Sequence, residues 1–122
     1  MRNLSVIIIY LIFTAISCDQ AATHEFYVQN HCEESITVDV VDYKGNFLSI
    51  EIPQNREQLI YSGEIINNVY EDEITYFIKE MNIEKDNIKT NINPLDYRIW
   101  RFEKESRLKA KSYLTINPED FE

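Results

Sequence analysis

The side chains that could do chemistry are few, and most gather early in the chain: Cys18, His24, His31, Cys32, Glu33 and Glu34. A Ser or Cys nucleophile needs a histidine base and an acid to orient it. The chain has 2 histidines, and no G-x-S-x-G turn accompanies them. His31 and Cys32 are neighbours, and successive strand residues point to opposite faces, so a Cys–His dyad there would need a special turn. His24 is therefore expected as a solvated linker residue and Cys32 as a small apolar core residue. The same stretch collects metal-ligand types without paired C-x-x-C or H-x₃-H spacing. Glu71-Asp72-Glu73 lacks the D-x-[DN]-x-[DN]-G calcium pattern and reads as a solvated turn. With 21 acidic residues present, chance carboxylate pairs are common, so none is singled out for glycoside cleavage. No catalytic residue, metal ligand or cofactor is assigned, and an envelope hydrolase is the least favoured of the functions considered.

Cys18 is different, because its surroundings give the thiol a specific fate. Arg2 supplies a positive charge, VIIIYLIF (residues 6–13) supplies an apolar run, and Thr14-Ala15-Ile16-Ser17 turns small. That is the order of a secretory signal. A spanning helix needs about 20 apolar residues, and this run stops short. The chain here resembles a bacterial lipoprotein precursor. Ala15-Ile16-Ser17-Cys18 fits the last positions of the lipobox, with Ala15 where that family usually has Leu. The resemblance covers residues 1–18 only. It implies cleavage before Cys18 and a diacylglyceryl group on its sulfur. One acyl chain binds a membrane marginally and reversibly, so stable anchoring needs more than one; a multiply acylated cysteine meets that need. The alternative is ordinary secretion, with Cys18 in a disulfide to Cys32.

The expected organisation is a signal peptide at residues 1–17, a lipidated cysteine with a short tether at 18–25, and one domain at 26–122. The tether would hold that domain close to the membrane, in the cell envelope and facing either the periplasm or the surface. The net charge is −9, from 12 Lys and Arg against 21 Asp and Glu. Nucleic acid and anionic head groups would repel such a chain, and cationic partners would be drawn to it.

Periodicity then indicates the elements. Ile36, Val38 and Val40 alternate with Thr37 and Asp39. Leu48, Ile50 and Ile52 alternate with Phe47, Ser49 and Glu51. Ile74, Tyr76 and Ile78 do so with Glu73, Thr75 and Phe77. The cleanest case is Leu108, Ala110, Ser112, Leu114 and Ile116 against Arg107, Lys109, Lys111, Tyr113 and Thr115. Period two marks half-buried strands, and residues 25–30, 57–62 and 96–104 are further candidates. Residues 42–46 form a plausible hairpin turn, with Gly45 able to take a positive φ. Residues 82–94 read as a long loop or an edge strand. About seven short strands at this spacing predict an all-β fold, a small antiparallel β-sandwich of immunoglobulin-like or similar type.

Within it, the residues singled out for ligand binding are Tyr97, Arg101, Arg107, Lys109 and Lys111. A C-terminal hairpin turning at Glu105-Ser106 would gather most of the positive charge of an acidic domain, which suits an anionic ligand. Tyr97 and Arg101 would share one face, opposite Trp100 and Phe102. Together these features predict a non-enzymatic, lipid-anchored envelope protein that binds a protein or glycan partner. An acidic inhibitor or immunity protein against a basic enzyme such as lysozyme is the alternative, since charge complementarity speeds capture of a cationic target.

Overall fold

The computed structural model describes residues 20–122; the signal-peptide and lipobox expectations, Cys18 included, lie outside the described residues. Eight strands form two four-stranded sheets packed face to face, so the predicted all-β sandwich is observed with one strand more than expected. The strands are β1 (Ala21–Asn30), β2 (Ile36–Asp42), β3 (Phe47–Ile52), β4 (Glu57–Ile66), β5 (Ile78–Lys85), β6 (Ile88–Lys89), β7 (Arg101–Ser106) and β8 (Lys109–Ile116). A single helical turn, α1 (Ile74–Phe77), precedes β5. One sheet runs β4-β1-β8-β7 and the other β3-β2-β5-β6. All neighbours are antiparallel except β1 and β8, which pair in parallel.

Alternation explains the layers. On β1, Ala22, His24, Phe26, Val28 and Asn30 are buried, while Thr23, Glu25, Tyr27 and Gln29 face outward. On β2 and β8 the expected faces are the observed ones: Ile36, Val38 and Val40 from one sheet meet Leu114 and Ile116 from the other in a common core. Each fully buried Ile, Leu, Val or Phe contributes roughly 1.5–3 kcal/mol. A smaller cluster of Ala22, Val69 and Ala110 fills the far end of the first sheet.

The turns follow local chemistry. The Asp42 carboxylate accepts from the backbone N–H groups of Lys44 and Asn46 and from the Asn46 amide, and Gly45 takes φ 85° as expected. Those bonds, the Asn46 side chain first, hold the Asp42 carboxyl below its ordinary value. Asp86 and Asn87 both adopt left-handed backbone, φ 53° and 65°, the two-residue turn that matches strand twist, and they join β5 to the short β6. Asn30, buried at the end of β1, donates to the carbonyls of Glu34 and Ile52 and accepts from Cys32 N–H. Cys32 lies in the core as expected, where burial pushes its thiol up.

Several boundaries differ from the sequence reading. Strand β1 starts at Ala21, inside the expected tether, which leaves only Asp19 and Gln20 between Cys18 and the sheet. Residues 74–77 form a helical turn, not a strand: Ile74, Phe77 and Ile78 are buried and Tyr76 is exposed, the i, i+3, i+4 pattern of a helix. Residues 78–85, partly assigned to a loop, form a central strand paired with β2. Residues 97–99 form a 3₁₀ turn ahead of β7. The β7–β8 turn falls at Arg107-Leu108, since Ser106 pairs with Lys109. On the edge strand β3, Leu48 is exposed, so alternation holds only at Ile50 and Ile52.

Candidate functional site

The residues expected to form a ligand site do not converge on one cavity. Tyr97 lies in the 3₁₀ turn, off the hairpin. Arg101 sits over the Tyr113 ring, 4.6 Å from its centroid, and pairs with Glu103 at 3.3 Å. Lys111 pairs with Glu105 at 3.2 Å, and that carboxylate holds it above its ordinary value. Lys109 lies 3.8 Å from Glu105 and 3.9 Å from Glu25. Arg107 reaches the side-chain oxygen of Gln20. Exposed pairs of this kind contribute at most about 1 kcal/mol each, yet they match the charge of the hairpin locally. An anion would compete with carboxylates already in place.

His24 is not a linker residue. Its parity on β1 turns it inward with Ala22, Phe26 and Val28, and it is fully buried. That alternation was visible in the sequence: Ala22, His24, Phe26 and Val28 against Thr23, Glu25, Tyr27 and Gln29. The ring stacks on Phe26 at 4.2 Å and meets Phe102 edge-on at 5.5 Å. Its Nδ1–H donates to Glu73 Oε1 at 3.0 Å, and its Nε2 accepts from the Ser112 hydroxyl at 2.7 Å. A carboxylate can only accept, which places the imidazole proton on Nδ1. Burial strips water from the imidazolium and lowers the His24 pKa, overriding the hydrogen bond and charge of Glu73 that pull it upward.

Ser112, His24 and Glu73 thus have the connectivity of a nucleophilic triad. Ser112 is only 1% exposed and Glu73 5%, so the hydroxyl has no path to a substrate carbonyl in this conformation. The three residues act as a buried latch. Glu73, expected in a solvated turn, ties the connection between β4 and β5 to the centre of the first sheet, with Val69 and Ile74 buried on either side of it. Glu73 Oε2 is buried with no hydrogen-bond partner among the described residues, a cost of about 1–3 kcal/mol or more for a charged group.

The latched segment carries Tyr70 and Tyr76 to the surface beside two open clefts. The first, about 440 Å³, is lined by Tyr43 and Lys44 from the β2–β3 turn, by Tyr61, Ser62, Gly63 and Glu64 of β4, and by Tyr76 and Phe77 of α1. The second, about 430 Å³, shares Tyr76 with the first and has Ile65, Tyr70, Asp72, Glu73 and Thr75 around it. Tyr43, Tyr70 and Tyr76 are 62%, 57% and 65% exposed. Packing and a hydrogen bond support them. Tyr61 O–H reaches Asp42 Oδ2 at 3.5 Å, tying β4 to the turn that bears Tyr43. Phe77 packs edge-on against Tyr76 and Phe26 and closes on Gly63, where its ring takes the space a Cβ would need. Nothing in the sequence pointed to these clefts, because their residues come from three separate elements.

Among the described residues, no group of His, Cys, Asp and Glu side chains is arranged to hold a metal ion, and no helix is long and apolar enough to cross a membrane. No protein-family model, curated protein or solved structure matches the chain.

Proposed function

We propose that the protein is a non-enzymatic, lipid-anchored module of the cell envelope that captures a protein or glycan partner in the tyrosine-lined clefts. The observation that carries this reading is the exposure of Tyr43, Tyr70 and Tyr76 around concave surfaces of the sandwich. Large aromatic side chains left in water on fixed backbone are a mark of recognition surfaces. The sealed position of Ser112 supports binding over nucleophilic catalysis. The lipobox-like residues before Cys18 support the anchor, and the early start of β1 would keep the clefts near the bilayer.

Two experiments test the reading. Replacing Cys18 by Ser abolishes incorporation of labelled palmitate into the protein; persistent labelling would refute the anchor. For the clefts, immobilised full-length protein retains an envelope component that the Tyr43→Ala/Tyr76→Ala variant loses by at least about tenfold, since aromatic anchors commonly contribute more than 1 kcal/mol each. Equal retention by both proteins would remove the clefts from the account. A retained cationic muramidase that loses activity on binding would instead select the inhibitor reading. That reading draws on the net charge of −9 and on a groove lined by Glu34, Glu51, Glu84 and Asp86.

A further inference from the structure

We infer that the two clefts flanking Tyr76 form one binding site for an uncharged pyranose oligosaccharide, with Tyr76 as a platform between two sugar positions. The inference rests on the binding-module reading above and adds the chemical class of the ligand.

Four observations lead to it. The clefts share Tyr76 and measure about 440 and 430 Å³, each within the range of about 300–1,000 Å³ typical of small-ligand sites. Two adjoining cavities with a common wall suit a chain of repeating small units better than one compact ligand.

Their lining mixes flat aromatic faces with hydrogen-bonding groups. Tyr43 and Tyr61 stand beside Lys44, Ser62 and Glu64 in one cleft, and Tyr70 beside Asp72 and Thr75 in the other. A pyranose has the complementary make-up. Its C–H-rich faces, slightly positive, rest on the negative faces of aromatic rings, and its rim of hydroxyls both donates and accepts.

The third observation concerns the backbone. β4 is an edge strand, so alternate N–H and C=O groups on its outer side are unpaired. The first cleft takes in residues 61–64 of this edge, together with Tyr43 and Tyr76. That window is short for adding a peptide strand, which typically runs about 5–6 residues, and ample for sugar hydroxyls.

Charge decides the last point. Glu64 and Asp72 line the clefts against Lys44 alone, on a chain of net charge −9. Uronic acids, sialic acids and phosphorylated sugars would be repelled.

The test uses the full chain in a non-glycosidic detergent, titrated calorimetrically with neutral gluco-, manno- and N-acetylglucosamine oligosaccharides, an oligogalacturonate and a proline-rich peptide. The expected result is saturable binding of at least one neutral oligosaccharide, tighter than its disaccharide, with affinity reduced about tenfold or more in Tyr76→Ala and in Tyr43→Ala. Both side chains are mostly exposed, so the melting temperatures of the variants stay at the wild-type value. Binding of the anionic glycan in preference to neutral ones overturns the charge assignment. Neutral binding that survives both substitutions overturns the site. Binding of the peptide alone, or of nothing in the panel, overturns the carbohydrate assignment. In that last case the binding-module reading still stands if the tyrosine variant loses the envelope component, and falls with it if retention is unchanged.

Discussion

Replacing His24 by alanine lowers the stability of the sandwich by about 3–4 kcal/mol and removes one component of its acid sensitivity. The size follows from what the ring touches. It fills the space between Phe26 and Phe102, and truncating a large buried side chain leaves a cavity that typically costs a few kcal/mol. The same change strips Ser112 and Glu73 of their partner, and each orphaned buried group adds about 1–3 kcal/mol unless the site rearranges to admit water. Against a total of about 5–15 kcal/mol for a typical domain, the loss is severe. Chemical denaturation at pH 7.5 measures it; a loss below about 1 kcal/mol would mean that the latch does not hold the segment between β4 and β5.

The pH dependence has a definite sign. His24 has its pKa lowered in the folded protein from the ordinary value of 6.5. Between that lowered value and 6.5 the unfolded chain binds more protons than the native one, so stability falls as pH falls. The slope approaches about 1.4 kcal/mol per pH unit for one proton. The contribution is whole above 6.5 and is lost through the window below it. The polar groups facing the ring are the Glu73 carboxylate and the Ser112 hydroxyl. Replacing Glu73 by Gln preserves an acceptor for Nδ1–H and removes the charge that favours the imidazolium, so the loss extends to lower pH. Denaturation midpoints at pH 7.5, 6.5 and 5.5 separate the cases: wild type declines, Glu73→Gln declines at least as far, and His24→Ala lacks this component. Parallel decline of wild type and His24→Ala would exclude His24 as its source.

The second large effect is expected at Gly63. A Cβ there would lie 2.6 Å from Cδ1 and Cε1 of Phe77 and 2.8 Å from its Cγ. Cγ lies one bond beyond Cβ, so relief takes a new χ1 for the buried Phe77 ring or a shift of α1. Overpacking of this kind costs about 1–3 kcal/mol, or a fall of about 4–8 °C in Tm per kcal/mol for a domain approaching 100 residues. Where α1 shifts, Tyr76 beside the cleft moves with it. Gly45→Ala is the contrast. It has nothing within 4 Å but a φ of +85°, so its cost is conformational alone, roughly 1–2 kcal/mol. The Phe77→Ala background identifies the mechanism by a double-mutant cycle. With the ring gone, Gly63→Ala becomes nearly neutral; an undiminished cost there would place the strain in the backbone of β4.

Elements encoded by near neighbours are legible in the sequence, and those encoded by distant partners are not. Strands β2 and β8 were legible because each has one face in the core and one in water, so burial imposes period two directly on the sequence. The turn at residues 42–46 was legible because Asp42, Gly45 and Asn46 encode it through bonds made within five residues. Segment 74–77 misled because Ile74, Phe77 and Ile78 also satisfy helical spacing, and period two and period 3.6 cannot be told apart over so few residues. What settles it is the need to cross from β4 in one sheet to β5 in the other. His24 could have been read as buried from the parity of β1. Its partners could not, since Glu73 and Ser112 lie 49 and 88 residues away along the chain.

The sandwich class, the inward faces of the regular strands, the tight turn at Gly45 and the acidic balance of the chain could all be read from the order of residues. Each is a property of composition or of neighbours within a few residues. Only long-range packing settled that Arg101, Lys109 and Lys111 face carboxylates, that a histidine latch pins the segment between the sheets, and that tyrosines from separate elements meet around two clefts. Those features depend on which strand edges lie side by side. That pairing is selected by the packing of both sheets at once, and no short stretch of residues carries it.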